Sequence, residues 1–538
     1  MVDTAANGFL FSKEERRKVR MKYCIFSENE WTYPDSQWNG KTTAHLHTAR
    51  GADACFQLLT DFILLGGEPF SFQGPSFCES IIYQLLPAHV GENSGLKSFT
   101  TLDFESVKSF VTRPAPFDVY DITRPLDNKA MEKGRCAFYV RMKIPQEATP
   151  GLYDITLRLK IGLETLSVPL TLTIYQTQIP SISSSSFHMC NWIQYDSLAH
   201  QHQVALWSEP YFKLLETYLE NQRDMRNDYL MLPSGEPVRN QHGAVIDFDF
   251  TNASKVGALA LQHGFLHIMG GFVARFHQWD ESEHYLLWDK EIGVTSTEGY
   301  RQLKLYFTKA WQCVLLNGWQ QQYMQCLVDE PQFPNSLAYR ALSCICRKCM
   351  PGIQIHDPVE TTDIAGAVDV WVVKQTVYET YLKTYRQLQE MGEELWTYTC
   401  GFPAGATMNR AVDLPLTVSR LPMWMCYKYG LKGFLHWGYL LHNQEVEKET
   451  CYKVEEGIKY PPGNSFIVYP GDGRPWYSVR GHAQRAGACD FELFTILGRQ
   501  NKQQALELIE AVCHTFDDYH PSAERFDEVH RQLLERLG

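Results

Sequence analysis

Several common signals are missing from this sequence. There is no Lys/Arg block: the 50 basic residues are interspersed among 62 acidic ones, for a formal net charge of −12. Nucleic-acid binding needs a basic patch to displace phosphate counterions, so no nucleic-acid partner is expected. No run of about 18 apolar residues occurs, so no membrane span is expected. The opening stretch MVDTAANGFLFSKEERRKVR carries no apolar h-region and no small-residue cleavage site. The 15 cysteines are odd in number and follow no disulfide-framework spacing. These features give the expectation of a reducing, cytoplasmic setting, with non-classical export left open.

Metal and cofactor signatures are missing too. Cys344, Cys346 and Cys349 fall close together, but on a predicted helix and without a second Cys/His pair, so they do not read as a zinc site. His263 and His267 flank a predicted strand without HExxH spacing. No glycine-rich phosphate fingerprint opens any predicted helix. No metal and no cofactor is expected.

What is present is length and aromatic content. At 538 residues the chain exceeds one ordinary domain. Its 13 Trp and 28 Tyr suit a cleft that stacks sugars, although large cores use the same residues. The pattern changes near Pro180. Before it, runs such as 136–144 and 152–161 alternate apolar and polar residues between Gly/Pro turns, the period of antiparallel strands. Residues 1–180 are therefore expected to form an N-terminal β-sandwich domain, its strands beginning near residue 20 and with a helix near 52–65. Residues 181–186 (SISSSS) read as a linker.

After the linker, strands alternate with amphipathic helices. Eight strands are predicted, at 187–193, 229–232, 265–270, 323–328, 353–356, 368–373, 395–400 and 433–439. That count points to an α/β protein with a (β/α)8 TIM-like barrel over 187–485. A doubly wound open sheet, or two unrelated α/β domains, would also alternate. A helical region over 486–538 is expected to pack on the barrel.

A barrel carries its active site at the C-terminal ends of its strands. Strand four ends in Asp329-Glu330-Pro331, two adjacent carboxylates after an apolar run. Like charges this close raise one pKa, as a general acid at neutral pH requires. The plain alternative is a pair of solvated loop acids. Strand seven, where many barrel glycosidases keep a nucleophile, ends in Trp396–Cys400 without a carboxylate. Strand eight offers His436 and Trp437 instead. A missing protein nucleophile fits substrate-assisted hydrolysis, in which a 2-acetamido oxygen attacks and two carboxylates serve it.

The sequence also resembles glycoside hydrolase family 123, the β-N-acetylgalactosaminidases. The resemblance rests on Asp329-Glu330-Pro331, on Leu395-Trp396-Thr397-Tyr398 with Pro403 and Asn409, and on Arg420 with Trp424. It extends through Gly433-Phe434-Leu435-His436-Trp437, Tyr469-Pro470-Gly471, Ser478-Val479-Arg480, Arg485, Gly487 and Asp490, and to Pro150-Gly151-Leu152-Tyr153 in the N-terminal part. One departure is the segment 486–490 (AGACD), which lacks an acidic neighbour beside Asp490. The resemblance implies removal of terminal β-linked N-acetylgalactosamine through an oxazolinium intermediate, with Glu330 as acid/base and Asp329 as stabiliser of the acetamido group. The implied partner is an oligosaccharide or glycoconjugate ending in that sugar; a homo-oligomer is allowed.

Further candidates for the sugar site are Tyr398 as a donor to the acetamido carbonyl, Trp396 on the same strand face, and Trp437 as a floor. Barrel-core packing is the alternative for each. His436, Asn191 and Trp424 complete the candidate list, Trp424 sharing a helix face with Arg420 and reading mainly as packing. Two competing functions stand beside this one. A carboxylate such as Asp357 or Glu360 would act as nucleophile on a sugar without an N-acetyl group. Alternatively, the chain binds sugar without cleaving it.

Overall fold

The structure, a computed structural model, describes residues 22–126, 131–442 and 445–538. The opening stretch MVDTAANGFLFSKEERRKVR lies wholly outside these residues.

Two sheets form the N-terminal part. The larger orders its strands Tyr23–Ser27, Asp53–Leu64, Gly134–Lys143, Glu79–Val90 and Phe117–Pro125. The smaller orders Ala44–Arg50, Glu164–Gln178, Gly151–Ile161 and Phe70–Gln73. Alternate residues of Glu164–Gln178 (Val168, Leu170, Leu172 and Ile174) face Phe56, Phe138, Val140 and Met142 of the larger sheet in one core. The other face of the larger sheet is also covered. Cys55, Leu59, Tyr83 and Tyr139 pack there with Val412, Leu416, Val479 and Ala483 from the C-terminal half.

This double coverage corrects one expectation. The helix near 52–65 is the strand Asp53–Leu64. Ala54, Phe56 and Leu58 face one core while Cys55 and Leu59 face the other, so apolar residues run without alternation. A short apolar run of that kind does not distinguish strand from helix by period.

The C-terminal half is a nearly closed barrel of eight parallel strands. They are β1 (His188–Asn191), β2 (Tyr229–Met231), β3 (His267–Gly270), β4 (Tyr323–Gln325), β5 (Gln354–Val359), β6 (Val370–Lys374), β7 (Glu394–Thr399) and β8 (Gly433–His436). Their order is β1-β8-β7-β6-β5-β4-β3-β2. The ladder is open between β1 and β2, and Asp228 spans the gap. Its amide donates to Met189 O at 3.1 Å, and its carboxylate accepts from Met189 N at 2.9 Å and pairs with His188 Nδ1 at 2.7 Å. Inside, Trp396 stacks on His188 at 5.5 Å and meets Tyr229 and His356 edge-on at 4.6 and 4.8 Å. Gly433 gives the indole its room: a Cβ there would lie 2.4 Å from the ring.

Helices α1 (Glu209–Asp224), α2 (Thr251–Gln262), α3 (Thr297–Asn317), α4 (Ser336–Cys349), α5 (Leu382–Glu390) and α6 (Leu421–Tyr429) lie between successive strands. Ser208 and Ser296 cap α1 and α3 by accepting from Tyr211 N and Gly299 N. Two long helices follow, α7 (Val479–Glu510) and α8 (Ala523–Leu537). The hairpin of Val468–Pro470 and Pro475–Ser478 extends the larger N-terminal sheet through Tyr477↔Thr123. At the chain end, Gly538 O accepts from Gln176 N at 2.6 Å. Among the described residues, no helix is long and apolar enough to cross a membrane.

Candidate active site

At the C-terminal mouth of the barrel lies a cavity of about 700 Å³. The chain reaches it from β4 through the buried run Cys326-Leu327-Val328. This run is held from below: Leu327 N donates to both carboxylate oxygens of Asp357 at 2.9 and 3.1 Å, and Tyr339 Oη donates to the same group at 2.7 Å. Asp329 and Glu330 then enter the cavity wall. Glu330 has φ +53°, the left-handed region, which for a residue with a Cβ costs roughly 1–2 kcal/mol. The strained turn is fixed on both sides, since Glu330 N donates to Pro358 O at 3.1 Å and Glu360 N to Pro331 O at 3.2 Å.

The two acids sit in different surroundings. Glu330 Oε1 accepts from Tyr398 Oη and lies 3.1 Å from Lys374 Nζ, with Cys400 Sγ at 3.9 Å. Asp329 is exposed to the cavity, whose protein walls stand around it. That enclosure, reinforced by the adjacent Glu330 charge and opposed by Lys374, pushes its carboxyl up to about 8. At neutral pH Asp329 therefore holds a proton.

Lys374 ends β6 and is 5% exposed, so its charge belongs to the site and not to solvent. It also pairs with Glu360, whose Oε2 accepts from Gln332 Nε2 at 2.9 Å. Tyr398 Oη reaches Glu360 Oε1 at 3.5 Å as well as Glu330. Burial and the Glu330 charge raise the Tyr398 hydroxyl well above its ordinary range, so it remains a donor. The same causes push the Cys400 thiol up to about 12. The site is thus two carboxylates, Glu330 and Glu360, joined by one ammonium and one hydroxyl, with the protonable Asp329 beside them.

The structure brings some of the expected residues together. Asp329, Glu330, Tyr398, Trp437 and Glu360 line the cavity. The Tyr398 hydroxyl is engaged with Glu330 and not left open for a ligand. Trp396 belongs to the barrel interior, where its Nε1 donates to Glu394 at 2.8 Å near the opposite end of β7. His436 is fully buried, its Nδ1 accepting from Gly438 N. Asn191 lies beneath the site, donating to Asn227 and accepting from Arg410 Nη1 at 2.9 Å. Trp424 is on the outer shell, its Nε1 donating to Asp490 at 2.8 Å. These four are corrections: the Trp396 and His436 rings are buried within the barrel, Asn191 is held by Asn227 and Arg410, and Trp424 packs outside the barrel against Asp490. Asp357 is spent on the β4 backbone and is no candidate nucleophile.

Trp192, a weaker candidate beside Asn191 at the end of strand one, also lines the cavity, while sequence reading missed Lys374, Gln332, Phe99, Trp279 and Tyr460, which line it too. Lys374 stands one residue past the predicted end of strand six, and the end-of-strand rule would have found it. Phe99 comes from the N-terminal sheets, which no local pattern connects to the barrel. Among the described residues no group of three or more His, Cys, Asp or Glu side chains is arranged to hold a metal ion.

Comparison with known proteins adds to this geometry. The family model described as glycoside hydrolase 123, catalytic domain, matches residues 192–497. The structure is similar to that of a family 123 glycoside hydrolase from Clostridium perfringens, solved in connection with glycolipid glycan hydrolysis. The TM-score is 0.74 at 12% identity, covering 96% of this chain and 97% of that one. A GH10 xylanase with a bacterial Ig-like domain, from termite gut, aligns over 66% of this chain and 90% of its own at 11% identity, with a TM-score of 0.33 that carries no argument. A search of curated proteins by sequence finds no match.

Proposed function

Because this chain belongs to glycoside hydrolase family 123, we propose that it is a retaining exo-β-N-acetylgalactosaminidase that uses the substrate's own acetamido group as nucleophile. We take the barrel as a TIM-type catalytic domain and the two N-terminal sheets as a sandwich braced against it. The observation that carries the reading is the Asp329–Glu330 pair at the mouth of β4, with unlike surroundings for its two carboxylates.

The chemistry follows from one shared proton. When the acetamido N–H meets Asp329, the ionised form of that carboxylate becomes the better acceptor and the pair's proton passes to Glu330. Glu330 delivers it to the leaving oxygen as the bond from C1 to that oxygen breaks and the acetamido oxygen bonds to C1. Asp329 holds the N–H and offsets the positive charge of the oxazolinium. Glu330, now ionised, takes a proton from water, and the water oxygen opens the ring at C1. Two inversions retain the β configuration. Tyr398 donates to Glu330 until that carboxylate takes up the proton, and its hydroxyl then turns to the acetamido oxygen. Trp437 supplies an aromatic face beneath the sugar.

A second reading rests on Glu360, which shares Tyr398 with Glu330 and would serve as a protein nucleophile for a sugar without the N-acetyl group. Release of p-nitrophenol from the β-N-acetylgalactosaminide, the β-N-acetylglucosaminide and the β-galactoside separates the two. Cleavage confined to the first supports the acetamido route and the galactosamine preference. Cleavage of the galactoside at a comparable rate would require Glu360 or another protein nucleophile.

A further inference from the structure

The cavity exceeds what one pyranose fills, and beyond Trp437 rings unused by the chemistry above make its outer wall. Trp437, at the end of β8, lies 5.8 Å from Tyr460 with the ring planes at 67°. Tyr460 in turn lies 5.8 Å from Phe99, the planes only 18° apart. The row runs from the cavity floor to its rim, and all three rings line it. At the rim, Phe99 is 45% exposed and Phe402 and Trp279 are 46% and 57% exposed. Clustered open aromatics beside a cavity mark a surface kept for a ligand, since each would gain free energy by burial.

Phe99 arrives from the N-terminal sheets, on the turn between Asn93–Ser94 and Thr100–Thr101. The turn is pinned to the barrel. Ser94 donates through its amide and hydroxyl to the buried Asp413 carboxylate at 2.6 and 2.7 Å, and Asn93 Nδ2 adds a third bond at 3.1 Å. Gly95 O accepts from Gly405 N at 3.1 Å, and Gly95 N donates to Phe99 O at 2.9 Å. Phe99 is thereby preorganised at the barrel mouth, as a recognition side chain must be.

We propose that Phe99 and Tyr460 form an outer subsite that stacks the apolar face of a second pyranose ring, the sugar to which the cleaved terminal residue is linked. This rests on the glycosidase reading above and extends it to the aglycone. The wall offers ring faces and no charge, which suits the C–H face of an equatorially substituted sugar. Through Phe99 the N-terminal sheets take part in substrate choice, favouring glycans over simple glycosides.

The test compares kcat/KM for a disaccharide, β-linked N-acetylgalactosamine on galactose, with that for methyl N-acetyl-β-galactosaminide. Both leave as alcohols, so their ratio reports the second ring. Phe99→Ala and Tyr460→Ala are each expected to lower the ratio about tenfold, the effect of one stacked ring, and Phe99→Trp to restore it. Losses of equal size on both substrates, leaving the ratio untouched, would overturn the subsite while sparing the glycosidase reading. If the unmodified protein cleaves neither compound, the glycosidase reading fails and the subsite falls with it.

Discussion

The Lys374 ammonium lies 3.1 Å from Glu330 Oε1, nearly sealed from solvent at the end of β6. Its charge favours ionised carboxylates around it, and it is the group that opposes the rise at Asp329. Lys374→Met removes that opposition. The last proton of the pair should then be held to higher pH, and the alkaline limb of kcat/KM should move up by about one unit or more. Lys374→Arg should leave the limb near its original place. A limb unmoved in Lys374→Met would mean that the pair titrates without reference to this cation.

The unmodified protein has a predicted pH profile of its own. Asp329 is raised to about 8, so the pair keeps one proton below that pH and loses it above. A doubly ionised pair has nothing to give the leaving oxygen. Activity should therefore fall as pH rises through about 8, measured as kcat/KM on an N-acetylgalactosaminide across pH 5 to 10. The sign for stability is the same. A group whose folded pKa is raised favours the folded state at low pH and loses that contribution as pH climbs through the folded value, so Asp329→Asn should raise Tm relative to the unmodified protein more at pH 9 than at pH 5.

Removing either carboxylate function should be severe. Glu330→Gln keeps the shape and removes the proton, at an expected cost of roughly 10²- to 10⁴-fold in kcat/KM. Asp329→Asn should lose a comparable factor, and a thiazoline mimic of the oxazolinium should bind the unmodified protein far more tightly than it binds this variant. Normal turnover by Asp329→Asn would refute its place as stabiliser of the acetamido group.

Far from the cavity, Asp490 joins three elements. It accepts from Arg420 Nε and Nη2 at 2.6 and 2.8 Å, from Trp424 Nε1 at 2.8 Å, and pairs with His530 of α8 at 3.0 Å. Burial pushes its carboxyl up, but Arg420 and His530 outweigh that and hold it below the usual carboxylate range. Asp490→Ala would leave Arg420, 3% exposed, as an uncompensated buried cation. The expected loss is about 3–5 kcal/mol in denaturant unfolding. A loss under 1 kcal/mol would show that Glu28, also paired with Arg420, suffices.

The same residue illustrates how sequence reading and structure relate. Asp490, Arg420 and Trp424 belong to the residues that carry the resemblance to family 123, but nothing in the sequence joins them: residues 66 to 70 positions apart meet only where α7 packs on α6. The eight barrel strands were legible because they are short apolar runs, most of them flanked by helices. The strand Asp53–Leu64 was not, because burial on both faces erased the alternation that identifies a strand.

What the sequence by itself determined was local: the eight strands of the barrel, and two adjacent acids at the end of one of them. Covalent neighbours stay neighbours in any fold, so Asp329 and Glu330 could be paired in advance. What only the tertiary structure decided was every relation across the barrel. Tyr398 is 68 positions from Glu330 yet donates to it, Lys374 binds two carboxylates at once, and Phe99 reaches the cavity from a separate set of sheets. Ring closure of eight parallel strands sets which strand ends converge, and the strained turn at Glu330 sets which way its carboxylate faces. No period along the chain encodes either.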